Sequence, residues 1–258
     1  MNHAPLIETR GLDVSIGQHR VCTNLNFTLQ AGERLAIEIY TLARHEALPT
    51  FLAGLRDTDA GEVSLSGTSY ATLGPREAAK HRGWLPQGHN DAFASTVLET
   101  ALTGRHPHLG RWDWESRHDA EIARGALKAV GLAELETRDV QTLSGGERQR
   151  LAIATLLTQA APLYLLDEPL AHLDLNHQIA VLDLFAGAAR ECGAGLIMVL
   201  HEPGLADRYC DRALLLYGDG RHEIGACRDI LHADRLAALY GHPLNEVECD
   251  GRRWFIPA

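Results

Sequence analysis

Residues 143–174 read LSGGERQRLAIATLLTQAAPLYLLDEPLAHLD, and this stretch decides the fold. Its apolar run, residues 163–166, is bounded by prolines and is too short for a helix, so it predicts a buried strand. Two carboxylates, Asp167 and Glu168, follow at the C-terminal end of the strand, where ligands bind in open parallel sheets. One carboxylate there can hold Mg²⁺ while its neighbour orients an attacking water, which is the division of tasks in nucleoside triphosphate hydrolysis.

The octet that opens this stretch predicts a phosphate-binding helix N-terminus. Ser144, Gly145 and Gly146 place small residues at the start of a helix that we predict from about Glu147 to Ala160. The first N–H groups of a helix are unpaired and its dipole is positive there, so phosphate oxygens bind well. An ordinary Ser-capped helix is the alternative, because Ser144 and Glu147 have the spacing of a capping box by themselves.

Three motifs now stand in one order: LSGGE, then LLDEP, then the pair Leu173-Asp174. They resemble the signature motif, the Walker B motif and the D-loop of the ATP-binding-cassette (ABC) transporter ATPases, and the resemblance extends over nearly the whole chain. It implies an α/β fold, the ABC ATPase fold, with a mixed core sheet and an N-terminal antiparallel β layer. It also implies one nucleotide-binding domain over residues 1–258, with a helical subdomain at about residues 88–140.

The resemblance further implies a homodimer that sandwiches two ATP molecules, each with Mg²⁺. Asp167 would ligate the Mg²⁺ and Glu168 would polarise the attacking water, facing residues 144–146 of the other copy. Gln87, which follows the strand predicted at residues 82–85, would reach the Mg²⁺ and the water. His201, at the end of an apolar strand predicted at residues 194–200, would contact the terminal phosphate. Asp174 would communicate across the dimer.

One element of the family is missing, namely the phosphate-binding loop of pattern Gly-x-x-x-x-Gly-Lys-Ser/Thr. In a gap-free alignment Ile39 takes the first Gly, Leu42 an inner Gly, and Arg44 the Gly before the lysine. His45 then takes the lysine position and Glu46 the Mg²⁺-binding hydroxyl position. No Gly-Lys pair occurs anywhere in the chain, so no displaced copy replaces this loop.

The altered loop predicts weak nucleotide binding. Such a loop wraps phosphate with consecutive backbone N–H groups in conformations that glycine reaches and β-branched Ile39 does not, and Glu46 adds a negative charge there. Hydrogen bonds to charged groups contribute roughly 1.5–3 kcal/mol each. Losing about two of them costs ~3–6 kcal/mol, or about 10²–10⁴ in affinity. Ile16 stands where the family stacks an aromatic on adenine, which weakens base contact as well. The next helix is expected to begin near Pro49.

The rest of the chain reads as an alternation of strands and helices. A strand, a turn at Gly17-Gln18 and a second strand are predicted within residues 6–29. Further strands are predicted at 35–37, 61–65 and 254–256, helices at 74–81, 178–190 and 229–240, and a hairpin at 212–217 and 221–224. A helical insert at 97–140 contains GRHPHLGRW, residues 104–112, which resembles ATPases that serve importers of iron-siderophore complexes, haem and cobalamin.

This resemblance implies membrane permease subunits as direct partners and a periplasmic substrate-binding protein as an indirect one. The function indicated is therefore the energy-coupling subunit of an importer for an iron chelate, haem or cobalamin, with impaired ATP binding and hydrolysis. A catalytically inactive relative that docks on a permease, or pairs with an intact ATPase, is the alternative. A non-transport ABC protein is a third possibility, which the importer-like insert disfavours.

Composition limits the other possibilities. The 258 residues are 45% hydrophobic and carry a net charge of −10, so sequence-independent nucleic acid binding is not expected. No apolar run approaches the ~18 residues of a membrane span, and no signal peptide is expected at the N-terminus. We expect a cytoplasmic protein that is peripheral on the inner face of the membrane. The five cysteines are unpatterned, and the pair His106 and His108 lacks further ligands at metal spacing, so no zinc site is expected.

Overall fold

A six-stranded mixed sheet forms the centre of the computed structural model, which describes residues 4–39, 47–88 and 94–258. Its strands lie in the spatial order β10-β9-β3-β8-β7-β6. They are β3 Arg34–Ile39, β6 Arg82–Leu85, β7 Leu163–Asp167, β8 Gly195–Val199, β9 Arg212–Leu216 and β10 His222–Ala226. All neighbouring pairs are parallel except β9 and β10, which form the predicted hairpin. The mixed core sheet is therefore confirmed.

A second sheet, of four antiparallel strands in the order β2-β1-β4-β5, covers one face of the core sheet. Its strands are β1 Ile7–Ile16, β2 His19–Leu29, β4 Ala60–Leu65 and β5 Thr68–Ser69. Ile16 pairs with His19 across the predicted turn, so the strand-turn-strand prediction is confirmed. Alternate residues such as Leu35, Ile37 and Ile39 pack toward this layer, whereas Ala36 packs on the opposite face, as the period of a strand requires.

Helices cover the opposite face of the core sheet and form most of the insert. The nine helices within the described ranges are α1 Ala47–Leu52, α2 Tyr70–His81, α3 Val97–Leu102, α4 Arg117–Ala129, α5 Gly145–Gln159, α6 Leu175–Cys192, α7 Pro203–Tyr209, α8 Cys227–Ile230 and α9 Ala233–Tyr240. Gly74, at φ +71°, interrupts α2, so its regular part agrees with the helix predicted at 74–81. Pro49 lies in the first turn of the described part of α1, where its missing N–H is tolerated.

Several predicted boundaries are wrong. Helix α5 begins two residues before Glu147, because Ser144 is its N-cap. Helix α6 begins at Leu175 and not at 178, because Asp174 caps it. The predicted helix 229–240 is two helices, since the chain leaves helical geometry at Leu231 and His232. The last strand, β12 Arg252–Pro257, pairs with a strand that was not predicted, β11 Leu244–Cys249.

The helical insert rests on α5 through a partly buried ion pair and a tight backbone approach. Arg105 donates from Nε to Asp119 Oδ1 at 2.8 Å and from Nη1 to the Thr158 carbonyl at 3.2 Å. The N-cap hydroxyl of Ser116 and the Arg105 guanidinium hold the pKa of Asp119 well below its usual range. Gly104 lies so close to α5 that a side chain there would meet the Thr155 carbonyl. These contacts fix the insert beside the helix that carries the octet.

Candidate functional site

Three neighbouring strands of the core sheet end at one edge and bring three predicted residues together. Gln87 follows β6, Glu168 follows β7, and His201 follows β8, and these strands are adjacent and parallel. All three side chains line one cavity of about 710 Å³. The resemblance assigned these three residues to one site, and they lie close together here because adjacent parallel strands end at the same edge of a sheet. Their catalytic roles stay predictions.

Glu168 and His201 contact each other at this edge. Glu168 Oε1 lies 2.9 Å from His201 Nε2. Glu168 has φ +48°, in the left-handed region that non-glycine residues seldom adopt. Such a conformation costs of order 1–3 kcal/mol and persists only where the surrounding structure imposes it. The chain therefore turns sharply after β7, which is the kind of strained geometry that clusters at functional sites.

Asp167 is the last residue of β7 and is fully buried. Within the described ranges, no group of three or more His, Cys, Asp or Glu side chains is arranged to hold a metal, and His106 and His108 belong to no such group. One carboxylate fits Mg²⁺, which keeps several waters and is usually bound by one or two carboxylates together with substrate phosphates.

Ser144 and the two glycines after it stand at the N-terminus of α5 and do not line the cavity. Glu147 donates from its backbone N–H to Ser144 Oγ at 3.3 Å, and the Ser144 N–H donates to Glu147 Oε2 at 2.8 Å. These two hydrogen bonds complete the capping box. Hydrogen bonds from the Ser144 backbone N–H and from the Ser144 hydroxyl to the Glu147 carboxylate lower the pKa of Glu147. The capping alternative is thus realised, and it leaves Gly145 and Gly146 in the positive first turn of the helix.

Asp174 also lies outside the cavity and caps α6. Its Oδ1 accepts from the His177 N–H at 2.9 Å, and both carboxylate oxygens lie 2.9 Å from His177 Nδ1. The backbone hydrogen bond from His177, followed by its side chain, lowers the pKa of Asp174. The structure therefore gives Asp174 a structural task within this copy, in addition to the predicted role across a dimer.

The structure describes the first residue of the altered loop. Ile39 ends β3 and is buried in the core between the two sheets. Leu42, Arg44, His45 and Glu46 lie outside the described residues. Within its described part, the position of the first loop glycine is thus occupied by a core side chain.

Sequence reasoning missed one wall of the cavity. Besides the three predicted residues, the cavity is lined by Glu202, Pro203, Tyr240, Leu244, Phe255 and Pro257. Four of these come from residues 233–258, which carry no family motif.

Sequence reasoning also missed Gln149, whose buried amide donates to the Pro169 carbonyl at 3.0 Å and joins α5 to the turn after β7. The sequence indicated Gln149 only by its position within the octet, residues 143–150.

Comparison with known proteins now decides the family. A family model described as ABC transporter matches residues 47–171. A hemin import ATP-binding protein of Myxococcus xanthus is 38% identical over 252 residues, which is 95% of this chain and 93% of the relative. The chain belongs to the ABC transporter family. This ABC protein is also 39% identical to a hemin import ATP-binding protein of Deinococcus radiodurans, over 93% of the chain and 91% of the relative.

A cobalamin import ATP-binding protein of Halobacterium salinarum is 34% identical over 91% of this chain, which spans 58% of that relative's length. Among solved structures, a metal-chelate type ABC transporter in an inward-facing conformation matches 99% of this chain and 98% of its own, with TM-score 0.85 and 26% identity. An ATP-binding cassette dimer with ADP and phosphate shares the fold at TM-score 0.73 and 22% identity, covering 84% of this chain and 97% of its own. The predicted ABC ATPase fold is confirmed.

Proposed function

We propose that this ABC protein is the ATP-binding, energy-coupling subunit of an importer for haem, cobalamin or another metal chelate such as an iron-siderophore complex. The observation that carries the proposal is the cavity where Gln87, Glu168 and His201 meet, in a chain similar over nearly its whole length to hemin import ATP-binding proteins. The similarity to a cobalamin import protein and to a metal-chelate transporter supports the same substrate class.

Within this proposal the residues of the cavity divide the chemistry. Asp167 and Gln87 would hold Mg²⁺, which when bound with ATP neutralises charge on the phosphates. Glu168, oriented by His201, would accept the hydrogen bond of the attacking water, and His201 would also contact the terminal phosphate. Residues 144–146 lie outside the cavity of their own copy. A homodimer in which they face the cavity of the other copy accounts for that position. Asp174 would lie beside the boundary between the two copies.

ATP binding and hydrolysis are proposed to be weak in this chain. The support is the sequence at 39–46, the buried side chain of Ile39, and a family match whose residues begin at 47. Without the loop's backbone N–H groups and lysine, ATP loses about two hydrogen bonds to its charged phosphates. This loss lowers the affinity for ATP by about 10²–10⁴-fold. A homodimer would repeat this loss in both sites. A catalytically inactive subunit that pairs with an intact ATPase is the second candidate, favoured by the same loop.

A groove between the core and the insert is the proposed permease contact. It has a volume of about 610 Å³, and its walls include Leu85, Pro86 and Gly88 beside Gln87, and Thr155 and Gln159 of α5. A permease segment seated there would touch the end of β6, which leads to the cavity.

The proposal places the subunit on the cytoplasmic face of the membrane, with a periplasmic substrate-binding protein as an indirect partner. It also assigns residues 88–140 to a helical subdomain. Within the described ranges, no helix is long and apolar enough to cross a bilayer.

Two measurements test the proposal. The chain co-expressed with a candidate permease should co-purify with it, and Thr155→Trp, which fills the groove, should abolish co-purification without unfolding the chain. Phosphate release from ATP should be near background and should rise when residues 39–46 are returned to the Gly-rich pattern. Release that stays at background in a restored, permease-bound subunit would support the inactive alternative. Absence of any permease association would contradict both.

A further inference from the structure

A buried carboxylate that the proposed mechanism does not use lies in the middle of the core sheet. Glu38 is the penultimate residue of β3, is fully buried, and projects toward the helical face of the sheet. Its neighbours along β3, Ile37 and Ile39, belong to the apolar core on the other face. An ionised carboxylate in such surroundings is stable only when cations or several hydrogen bonds compensate it.

Among the residues that the structure describes, Glu38 has one hydrogen-bond partner and no cationic partner. Its Oε2 accepts from the Tyr240 hydroxyl at 2.6 Å, across 202 positions of sequence. Its Oε1 is buried without a hydrogen-bond partner, and none of the described Lys, Arg or His side chains forms an ion pair with it. Burial raises the pKa of Glu38 to about 8, the Tyr240 hydrogen bond opposes this, and Glu202 adds to it. Near neutral pH the buried carboxyl is therefore largely protonated.

Within the described part of the chain, the other titratable groups that face Glu38 do not neutralise its anion. They are Tyr240 from α9, Glu202 at the start of α7, Cys210 at the end of α7, and Cys227 at the start of α8. Glu202 raises the pKa of Glu38, and burial raises the pKa of Cys227 to about 12 and that of Cys210 well above its usual value. Burial, together with Glu38, also raises the pKa of Tyr240. The surroundings therefore favour the protonated carboxyl.

Tyr240 connects this carboxyl to the wall of the candidate site. It is the last residue of α9, and the chain turns at Gly241 into the β11–β12 hairpin. We call residues 233–258 the C-terminal segment. Tyr240 and three hairpin residues line the cavity that contains Glu168 and His201. The segment's other end is held differently, because Arg253 binds Asp207 of α7 and the Leu231 carbonyl.

We propose that Glu38 and Tyr240 form a protonation-dependent latch that holds the C-terminal segment against the cavity. When the segment opens, Glu38 reaches water and releases its proton, so each rise in pH favours the open form. The closed form binds the extra proton between the ordinary pKa, 4.5, and the raised one. The protonated Glu38 therefore stabilises the closed form fully near pH 5. This stabilisation decreases as the pH rises and is constant above about pH 8. Opening, which removes one wall of the cavity, would therefore be more frequent at pH 8 than at pH 5.

Amide hydrogen exchange of the full chain, read by mass spectrometry on peptides from 233–258, tests this without any nucleotide. After division by the intrinsic exchange rate, opening of the wild-type segment should rise about tenfold per pH unit between about pH 5.5 and 7.5 and level off above about pH 8. Glu38→Gln should remove this slope. Tyr240→Phe should raise opening about two- to tenfold at about pH 5.5, by loss of one hydrogen bond.

Glu223→Gln is the matched control. Glu223 also accepts from a tyrosine hydroxyl, that of Tyr217 at 2.7 Å, and also contacts α9, through Arg235, but its side chain is 39% exposed. The slope should survive in this variant. A flat wild-type profile, or a slope that persists in Glu38→Gln and so belongs to another group, would overturn the latch. Because no ATP or permease enters the measurement, its failure is distinct from failure of the proposed function.

Discussion

Gly104→Ala should destabilise the chain through one backbone contact between the insert and α5. Gly104 is buried in a 3₁₀ helix, Thr103–His108. An added Cβ would lie 2.2 Å from the Thr155 carbonyl oxygen and 3.1 Å from the Gln159 nitrogen. Both atoms belong to the backbone of α5, so neither can rotate away. The 3₁₀ helix must move outward, and Gly104, Thr155 and Gln159 all line the proposed permease groove.

Overpacking of this kind typically costs about 1–3 kcal/mol, and the upper half of that range is expected here because the contact is backbone. Gly125→Ala is the matched control, since Gly125 is exposed within α4 and an added Cβ there would meet nothing within 4 Å. Alanine in an exposed helix interior should instead stabilise by roughly 0.5–1 kcal/mol. The two glycine-to-alanine changes should therefore have opposite signs.

Urea unfolding followed by circular dichroism measures both variants against the wild type. A lower free energy of unfolding for Gly104→Ala and a higher one for Gly125→Ala is the expected result, and the first variant should also bind the permease less tightly. If Gly104→Ala is as stable as the wild type while Gly125→Ala behaves as expected, the insert does not pack on α5 as described. The groove would then need a different account.

Three further outcomes follow from the same contacts. Glu38→Gln removes a group whose pKa folding raises to about 8. Because the wild type loses stability as the pH rises and the variant does not, the unfolding free energy of the variant minus that of the wild type should increase by at most about 3–4 kcal/mol from pH 5 to pH 8. Urea unfolding at both pH values measures this difference. Ser144→Ala removes the cap of α5 and should cost about 1 kcal/mol, whereas Ser144→Gly should cost only a few tenths, checked by thermal melting. Arg253→Ala leaves Asp207 without its partly buried partner and should cost about 3 kcal/mol, with faster proteolysis of 244–258.

Local signals in the sequence predicted the strands and helices whose apolar residues recur at regular spacing and are buried. The run 163–166 is apolar throughout and forms the first four of the five residues of β7, which is buried on both faces. Ser144 and Glu147 carry the capping-box spacing, and the structure forms both of its hydrogen bonds. Family resemblance assigned Gln87, Glu168 and His201 to one site, whereas the order of the strands that they follow comes from the structure alone.

The features that were missed depend on contacts distant in sequence. β11 is almost wholly exposed, so its residues show no alternation to mark a strand, and its pairing with β12 defines it. The break at Leu231 and His232 lacks glycine or proline. The contact between Glu38 and Tyr240 spans most of the chain, and a glutamate inside an apolar strand gives no indication of its partner. The C-terminal wall of the cavity follows from that tertiary packing.

The affinity for ATP tests the central claim most directly. Isothermal titration with ATP and Mg²⁺ should compare the wild type with a variant carrying Ile39→Gly, Leu42→Gly, Arg44→Gly, His45→Lys and Glu46→Ser. We expect the restored loop to bind about 10²–10⁴-fold more tightly, from two regained hydrogen bonds to charged phosphate. Equal affinities in the two proteins, with the restored variant correctly folded, would contradict the account.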